Sequence, residues 1–215
     1  MLIRLFVMVA LLGTSAGALE TRVIDGDTLE VGGKKVRLYG IDAPEFLQEC
    51  STKNEGLWPC GKEASQFLIE LIGDRPVTCM PKGIDRYDRQ ISVCSVGGIE
   101  INSSMISSGL AWAFVKYSTA YVSLEEEARK AGIGVWQAET EPPWKYRSHR
   151  WNVAVQEAPE ECPIKGNISK KGAKIYHTPL SPWYKRTKIS NDKGERWFCD
   201  ETEAKEAGWR SATWD

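Results

Sequence analysis

Residues 20 to 40 alternate in strand fashion, and two turn signals punctuate them: Asp25-Gly26-Asp27 and Gly32-Gly33. Asp-Gly and Gly-Gly are dipeptides that reverse a chain between two strands, so the stretch is constrained towards an antiparallel meander. The same segment carries chemistry. It reads Val23-Ile24-Asp25-Gly26-Asp27-Thr28 and then Arg37-Leu38-Tyr39-Gly40-Ile41-Asp42-Ala43-Pro44-Glu45, which brings Asp27, Asp42 and Glu45 close in sequence to Arg37. Hard cations take oxygen ligands, and phosphoryl transfer needs positive charge and guanidinium groups around the reacting phosphate. A second piece, Asp85-Arg86-Tyr87-Asp88-Arg89, adds a further guanidinium.

The periodicity predicts a helix over Lys62–Ile72, with Ala64, Phe67, Leu68, Leu71 and Ile72 on one face and Gly73 after it. Val77–Met80 and Gln90–Val96 read as strands, Ile101–Ser108 as a short helix closed by Gly109. Tyr121–Ala131 reads as a third helix, acidic early and basic late as the helix dipole favours. Three strands, a helix, two strands and then helices fit a five-stranded barrel of the oligonucleotide-binding (OB) type.

At these distances the motifs resemble the staphylococcal nuclease (thermonuclease) family. The resemblance rests on the Asp25-Gly26-Asp27-Thr28 hairpin, the run from Arg37 to Glu45, Asp85-x-Tyr87-x-Arg89 and Gly109-Leu110-Ala111, and it covers residues 19 to 140. It implies an α+β fold: the five-stranded OB-type β-barrel with about three helices, here followed by a small C-terminal α+β module. It also implies calcium (Ca2+), held by Asp27, Asp42 and the backbone carbonyl of Ala43. The best-known member has threonine where Ala43 stands, and a carbonyl ligand survives that exchange. Asp25 is expected to support the ligands from behind.

Hydrolysis of a phosphodiester further needs an oriented or deprotonated water and neutralisation of charge on the phosphoryl oxygens. Glu45, just after a strand and fixed by Pro44, is the candidate for the water, as base or as water-orienter. An ordinary glutamate, with a pKa of about 4.3, is only weakly basic. Arg37 and Arg89 are the phosphate ligands, because planar guanidinium forks match phosphate oxygens in pairs. By the family pattern Arg86 and Tyr87 reach a terminal nucleotide phosphate and Tyr117 stacks on a base, a contact that tolerates any base. Val115 stands where the best-known member has a tyrosine, so stacking is weaker here or supplied by Phe114 or Trp112. Two histidines, His149 and His177, fall outside the motifs, which leaves serine- or cysteine-triad chemistry without support.

The N-terminus carries Arg4, the apolar run Leu5–Leu12 and the small-residue site Ala16-Gly17-Ala18. This is the pattern of a signal peptide over residues 1–18, with an apolar run too short to span a bilayer. Export into an oxidising compartment gives the six cysteines a disulfide reading, and locality favours Cys50 with Cys60, Cys79 with Cys94 and Cys162 with Cys199. The expected location is secreted or periplasmic, without a membrane span after signal removal, and the expected state a monomer. The net charge of −1 hides an asymmetry. Residues 165–196 hold nine Lys or Arg against Asp192 and Glu195, whereas residues 19–147 hold nineteen acids against fifteen bases.

The division expected is a nuclease-like OB-fold domain over 19–140, a linker over 141–160 marked by Pro142, Pro143 and Pro159, and the small module over 161–215. The sequence therefore points to an exported calcium-dependent endonuclease acting on DNA and RNA. Its alternative is a catalytically silent barrel that binds nucleic acid or cell-envelope polysaccharide. The presence of Asp27, Arg37, Asp42, Glu45 and Arg89 together favours the enzyme.

Overall fold

The computed structural model describes residues 20–212. The expected signal peptide over 1–18, Leu19 that follows it, and residues 213–215 at the end of the expected module lie outside the described residues. Both turn signals close hairpins: β1 (Thr21–Asp25) pairs with β2 (Thr28–Val31), and β2 with β3 (Lys34–Leu38), all antiparallel. Gly32 and Gly33, with φ of 56° and 76°, supply the two positive dihedrals that a tight hairpin of this hand requires.

β4 (Val77–Ile84) and β5 (Gln90–Val96) form the second hairpin, and β5 returns parallel to β3. The order β1-β2-β3-β5-β4 is a strongly curled half-barrel of the OB type. β4 runs four residues past the expected Met80, through Pro81, with a register shift between Pro81 and Gly83. Proline lacks the N–H that a ladder needs, and it is tolerated here because β4 is the edge strand.

Helix α1 (Cys60–Ile72) starts two residues earlier than the periodicity predicts and buries Ala64, Leu68 and Ile72 at intervals of four. These meet Leu29, Val36, Leu38 and Ile41 of the barrel, together with Ile101, Met105 and Ile106 of α2 (Ile101–Ser107), in one core. Helix α3 (Val122–Ala131) begins one residue later than expected and packs on α2. Two short ladders trim the site: Ile41–Asp42 with Trp112–Ala113, and Cys50–Ser51 with Leu57–Trp58.

Residues 141–160, read from sequence as a linker, carry helix α4 (Pro143–Glu157). Pro143 sits in the first turn, where a missing N–H costs nothing, so the prolines that suggested a break start a helix instead. Beyond it β6 (Ile164–Ile168) lies between β7 (Lys174–His177) and β8 (Arg196–Phe198), and β9 (Arg210–Ser211) runs parallel to β7. Helix α5 (Glu201–Glu206) is capped by Asp200, whose carboxylate accepts from the Glu203 N–H at 2.8 Å, while Glu203 accepts from the Cys199 N–H at 2.9 Å. Ile164, Tyr176, Phe198, Ala204 and Trp209 make a second, separate core, against which Trp151 of α4 packs.

The three disulfides are Cys50–Cys60, Cys79–Cys94 and Cys162–Cys199, the pairs locality favours. The first staples the loop after Glu45 to the start of α1, the second ties β4 to β5, and the third closes the module. Among the described residues no helix is long and apolar enough to cross a membrane.

Candidate active site

The first hairpin and the end of β3 deliver their charged side chains to one spot. Asp27 is 2 % exposed and Asp42 fully buried. The Arg37 guanidinium lies between them, donating from Nη1 to Asp27 Oδ1 and from Nη2 to Asp42 Oδ1, the latter at 2.7 Å. Asp27 is filled out by Thr28 Oγ1 at 3.1 Å and by the Ala43 N–H, which donates to Oδ2 at 2.8 Å. Asp25 accepts from the Asp27 N–H at 3.0 Å and so shapes the turn that presents Asp27. Asp25, Asp27, Arg37, Asp42 and Ala43 therefore form one connected group.

Glu45 stands beside them through an arginine that sequence reasoning did not single out. Arg147 of α4 donates to both oxygens of Asp42, from Nη1 to Oδ1 at 3.0 Å and from Nη2 to Oδ2 at 2.8 Å, and Nη1 also reaches Glu45 Oε1 at 2.8 Å. Its separation of more than a hundred residues from both partners left no local spacing to betray it.

Two further features set the Glu45 backbone. Gln48, almost fully buried, accepts from the Glu45 N–H and donates to the Glu141 carbonyl at 2.7 Å. Gly61 lies so close that a Cβ there would fall 1.8 Å from the Glu45 carbonyl oxygen. Any larger residue must push the Glu45 loop off the start of α1.

The electrostatics follow from burial. Desolvation is the largest influence on Asp27, with Asp25 and Asp42 adding to it, and together they outweigh Arg37 and push its pKa up to about 7. Burial likewise raises Glu45, against the opposing pull of Arg147. Arg37 is pushed further above its ordinary value by Asp27 and Asp42 despite its own burial. Among the described residues, the guanidiniums paired with Asp27, Asp42 and Glu45 are those of Arg37 and Arg147, so three carboxylates share two positive charges.

Hard oxygen donors with excess negative charge are the chemistry that a divalent cation such as calcium accepts, and the Arg147 guanidinium already stands as a cation between Asp42 and Glu45. The residues fit such an ion in type. Among the described residues no three His, Cys, Asp or Glu side chains converge as a ready ligand set, so backbone carbonyl and water oxygens would have to complete it.

The remaining expected residues stand apart. Arg89 is held by Asp85, with Nε 2.8 Å from Oδ2, and reaches the cluster through Thr28 Oγ1 at 3.5 Å. Arg86 donates to the Tyr87 hydroxyl at 2.7 Å and stacks over its ring, and Tyr87 is exposed. Tyr117 is also exposed and packs edge-on against Phe114, which in turn stacks on Trp144 of α4 with the rings 13° from parallel. These residues contribute a basic and aromatic rim rather than the buried cluster.

A family model described as "Staphylococcal nuclease homologue" matches residues 35–138. The "Succinoglycan biosynthesis protein ExoI" of Rhizobium meliloti (strain 1021) is 37 % identical over 147 residues, covering 63 % of this chain and 75 % of that protein. The chain belongs to the staphylococcal nuclease family. The "Uncharacterized endonuclease" of Escherichia coli O157:H7 is 34 % identical, covering 60 % of this chain and 82 % of that protein. For the "Micrococcal nuclease" of Shigella flexneri the figures are 33 %, 59 % and 77 %. A second family model, described as "ArfC", matches residues 143–211, from the start of α4 to the last strand.

Proposed function

We propose that this nuclease is an exported, calcium-dependent endonuclease that hydrolyses phosphodiester bonds of DNA and RNA with low sequence specificity, leaving 3′-phosphate and 5′-hydroxyl ends. The observation that carries the reading is the buried group Asp27–Arg37–Asp42 with Glu45 alongside. Asp27, Asp42 and the Ala43 carbonyl would hold calcium, which when bound would supply positive charge to the phosphoryl oxygens and make the attacking water more acidic.

Glu45 would orient that water or take its proton. Burial raises its pKa above the ordinary glutamate value, which makes it a stronger base than its residue type suggests. Arg37, once its fork exchanges a carboxylate oxygen for a phosphate oxygen, would neutralise charge as the phosphorus becomes five-coordinate. Arg89 would meet the same phosphate from the β4–β5 turn, with Asp85 holding its Nε. Arg86 and Tyr87 would contact a neighbouring nucleotide, and Tyr117 with Phe114 and Trp144 would offer ring faces to bases.

Three disulfides support maturation in an oxidising compartment, secreted or periplasmic. By residue limits we assign the nuclease part to 19–140 and the C-terminal module to 161–215, joined by the segment that α4 occupies. We take the chain to act as a monomer.

The test is cleavage of single-stranded DNA and RNA by the purified protein in calcium and in chelator, with the ends typed by phosphatase treatment. Calcium-dependent cleavage with 3′-phosphate ends is expected; equal cleavage in chelator contradicts the reading. A cell-envelope polysaccharide role is a second reading, favoured by the name of the Rhizobium relative. Tighter binding of the full chain to an acidic polysaccharide than to single-stranded DNA at equal ionic strength would select it.

A further inference from the structure

Helix α4 touches both halves of the molecule. Towards the barrel, Arg147 covers both oxygens of the fully buried Asp42 and one of Glu45. Trp144, three residues earlier and so on the same side of the helix, stacks on Phe114. The Tyr146 hydroxyl reaches the Leu47 carbonyl at 3.4 Å. Towards the module, Arg150 donates to the Pro179 carbonyl at 2.7 Å and Trp151 packs on the second core. The helix lies outside the segment matched by the nuclease family model and inside the segment matched by the second.

We propose that α4 is a latch over the cation site, in which the Arg147 guanidinium and a divalent cation compete for Asp42. The inference rests on the calcium reading above. A fork-on-fork pair between guanidinium and carboxylate uses the oxygens a cation would seek, and two positive centres that share Asp42 would repel at close range in a poorly solvated site. A cation on Asp42 would therefore displace Arg147, which would also release Glu45 from that guanidinium and loosen α4. In its absence Arg147 supplies part of the charge that the buried Asp27 and Asp42 and the half-buried Glu45 require. Because α4 also carries Arg150 and Trp151, the occupancy of the cation site is communicated to the module through one helix.

Calcium titration of the full chain by calorimetry, without nucleic acid, separates the possibilities. Arg147→Met is expected to bind calcium about tenfold more tightly than the unsubstituted protein, as removal of one nearby charge implies, and Arg147→Lys to fall between. Hydrogen exchange of the unsubstituted protein should show faster exchange over residues 143–157 when calcium is added, a readout that needs no variant. Unchanged or weaker calcium affinity in a folded Arg147→Met protein overturns the latch, as does α4 protection that calcium leaves unaltered. Asp27→Asn is the control for the site itself. If the unsubstituted chain binds no calcium and Asp27→Asn changes nothing, the calcium reading fails and the latch with it.

Discussion

The two halves of this chain bury polar groups for opposite ends. In the barrel, Asp27, Asp42 and Glu45 lie against two guanidiniums, and desolvation leaves Asp27 with a pKa pushed up to about 7. In the module, the buried and half-buried polar groups are met by hydrogen bonds to neutral partners. His177 bonds Ser181 through Nδ1 at 3.1 Å and Asn167 through Nε2 at 2.9 Å, and burial holds its pKa below the ordinary value. Glu195 accepts from the backbone N–H groups of Ile168 and Ser190, both at 2.9 Å. Lys165 donates to the carbonyls of Tyr184 and Thr187, both at 3.0 Å. A satisfied network specifies a fold, whereas a charge-deficient one is held ready for a ligand at some cost in stability.

The difference is open to attack from several sides. The largest effect should come from Arg37→Lys, which keeps the charge and loses the fork. Turnover is expected to fall by about a hundredfold or more, with little change in melting temperature, and normal turnover would remove Arg37 from the mechanism. On the module side the expectation reverses. Replacing Cys162 and Cys199 by serine removes the bridge that closes residues 162–199. It should cost the module about 3–4 kcal/mol by loop-closure entropy, with cleavage of a short oligonucleotide retained. Loss of cleavage in proportion to module unfolding would show that the halves do not stand apart.

Acidification should move the halves in opposite directions. Asp27 and Glu45 have raised folded pKa values, so without calcium their stability contribution is lost as pH rises towards and through about 7 and is regained as pH falls. His177 is depressed, so its contribution is present above its ordinary value of 6.5 and is lost as pH falls below it. Hydrogen exchange in chelator at pH 7.5 and 5.5, corrected for intrinsic rates, should show the barrel strands gaining protection and the module strands losing it. A change of the same sign in both would break the contrast. The smallest effect is local to α5. Asp200→Ala removes the cap and should cost about 1 kcal/mol, visible in module melting and absent from barrel protection.

Much of this was legible in sequence because it was local. Asp25-Gly26-Asp27 and Gly32-Gly33 encode their turns within two or three residues, Gly73 closes α1 as expected, Gly132 likewise ends α3, and Asp200 with Glu203 writes its own cap. The disulfide pairs followed from proximity along the chain. What the sequence withheld depends on tertiary context. Pro142 and Pro143 read as a break but begin α4, because proline is tolerated in a first helical turn. Arg147 and Gln48 look like surface residues until the fold brings α4 and the Glu45 loop together. The separation of Arg89 from the carboxylates, bridged by Thr28, likewise reflects how the β4–β5 turn is held by Asp85 rather than any spacing.

The most direct measurement is single-stranded DNA cleavage in saturating calcium by the unsubstituted protein and by Glu45→Gln, with calcium affinity determined for both. Turnover should drop by about two to four orders of magnitude in the variant while calcium binding persists, since the role proposed for Glu45 is to act on water rather than to hold the ion. Cleavage that survives the substitution at full rate would contradict an active site centred on Asp27, Arg37, Asp42 and Glu45.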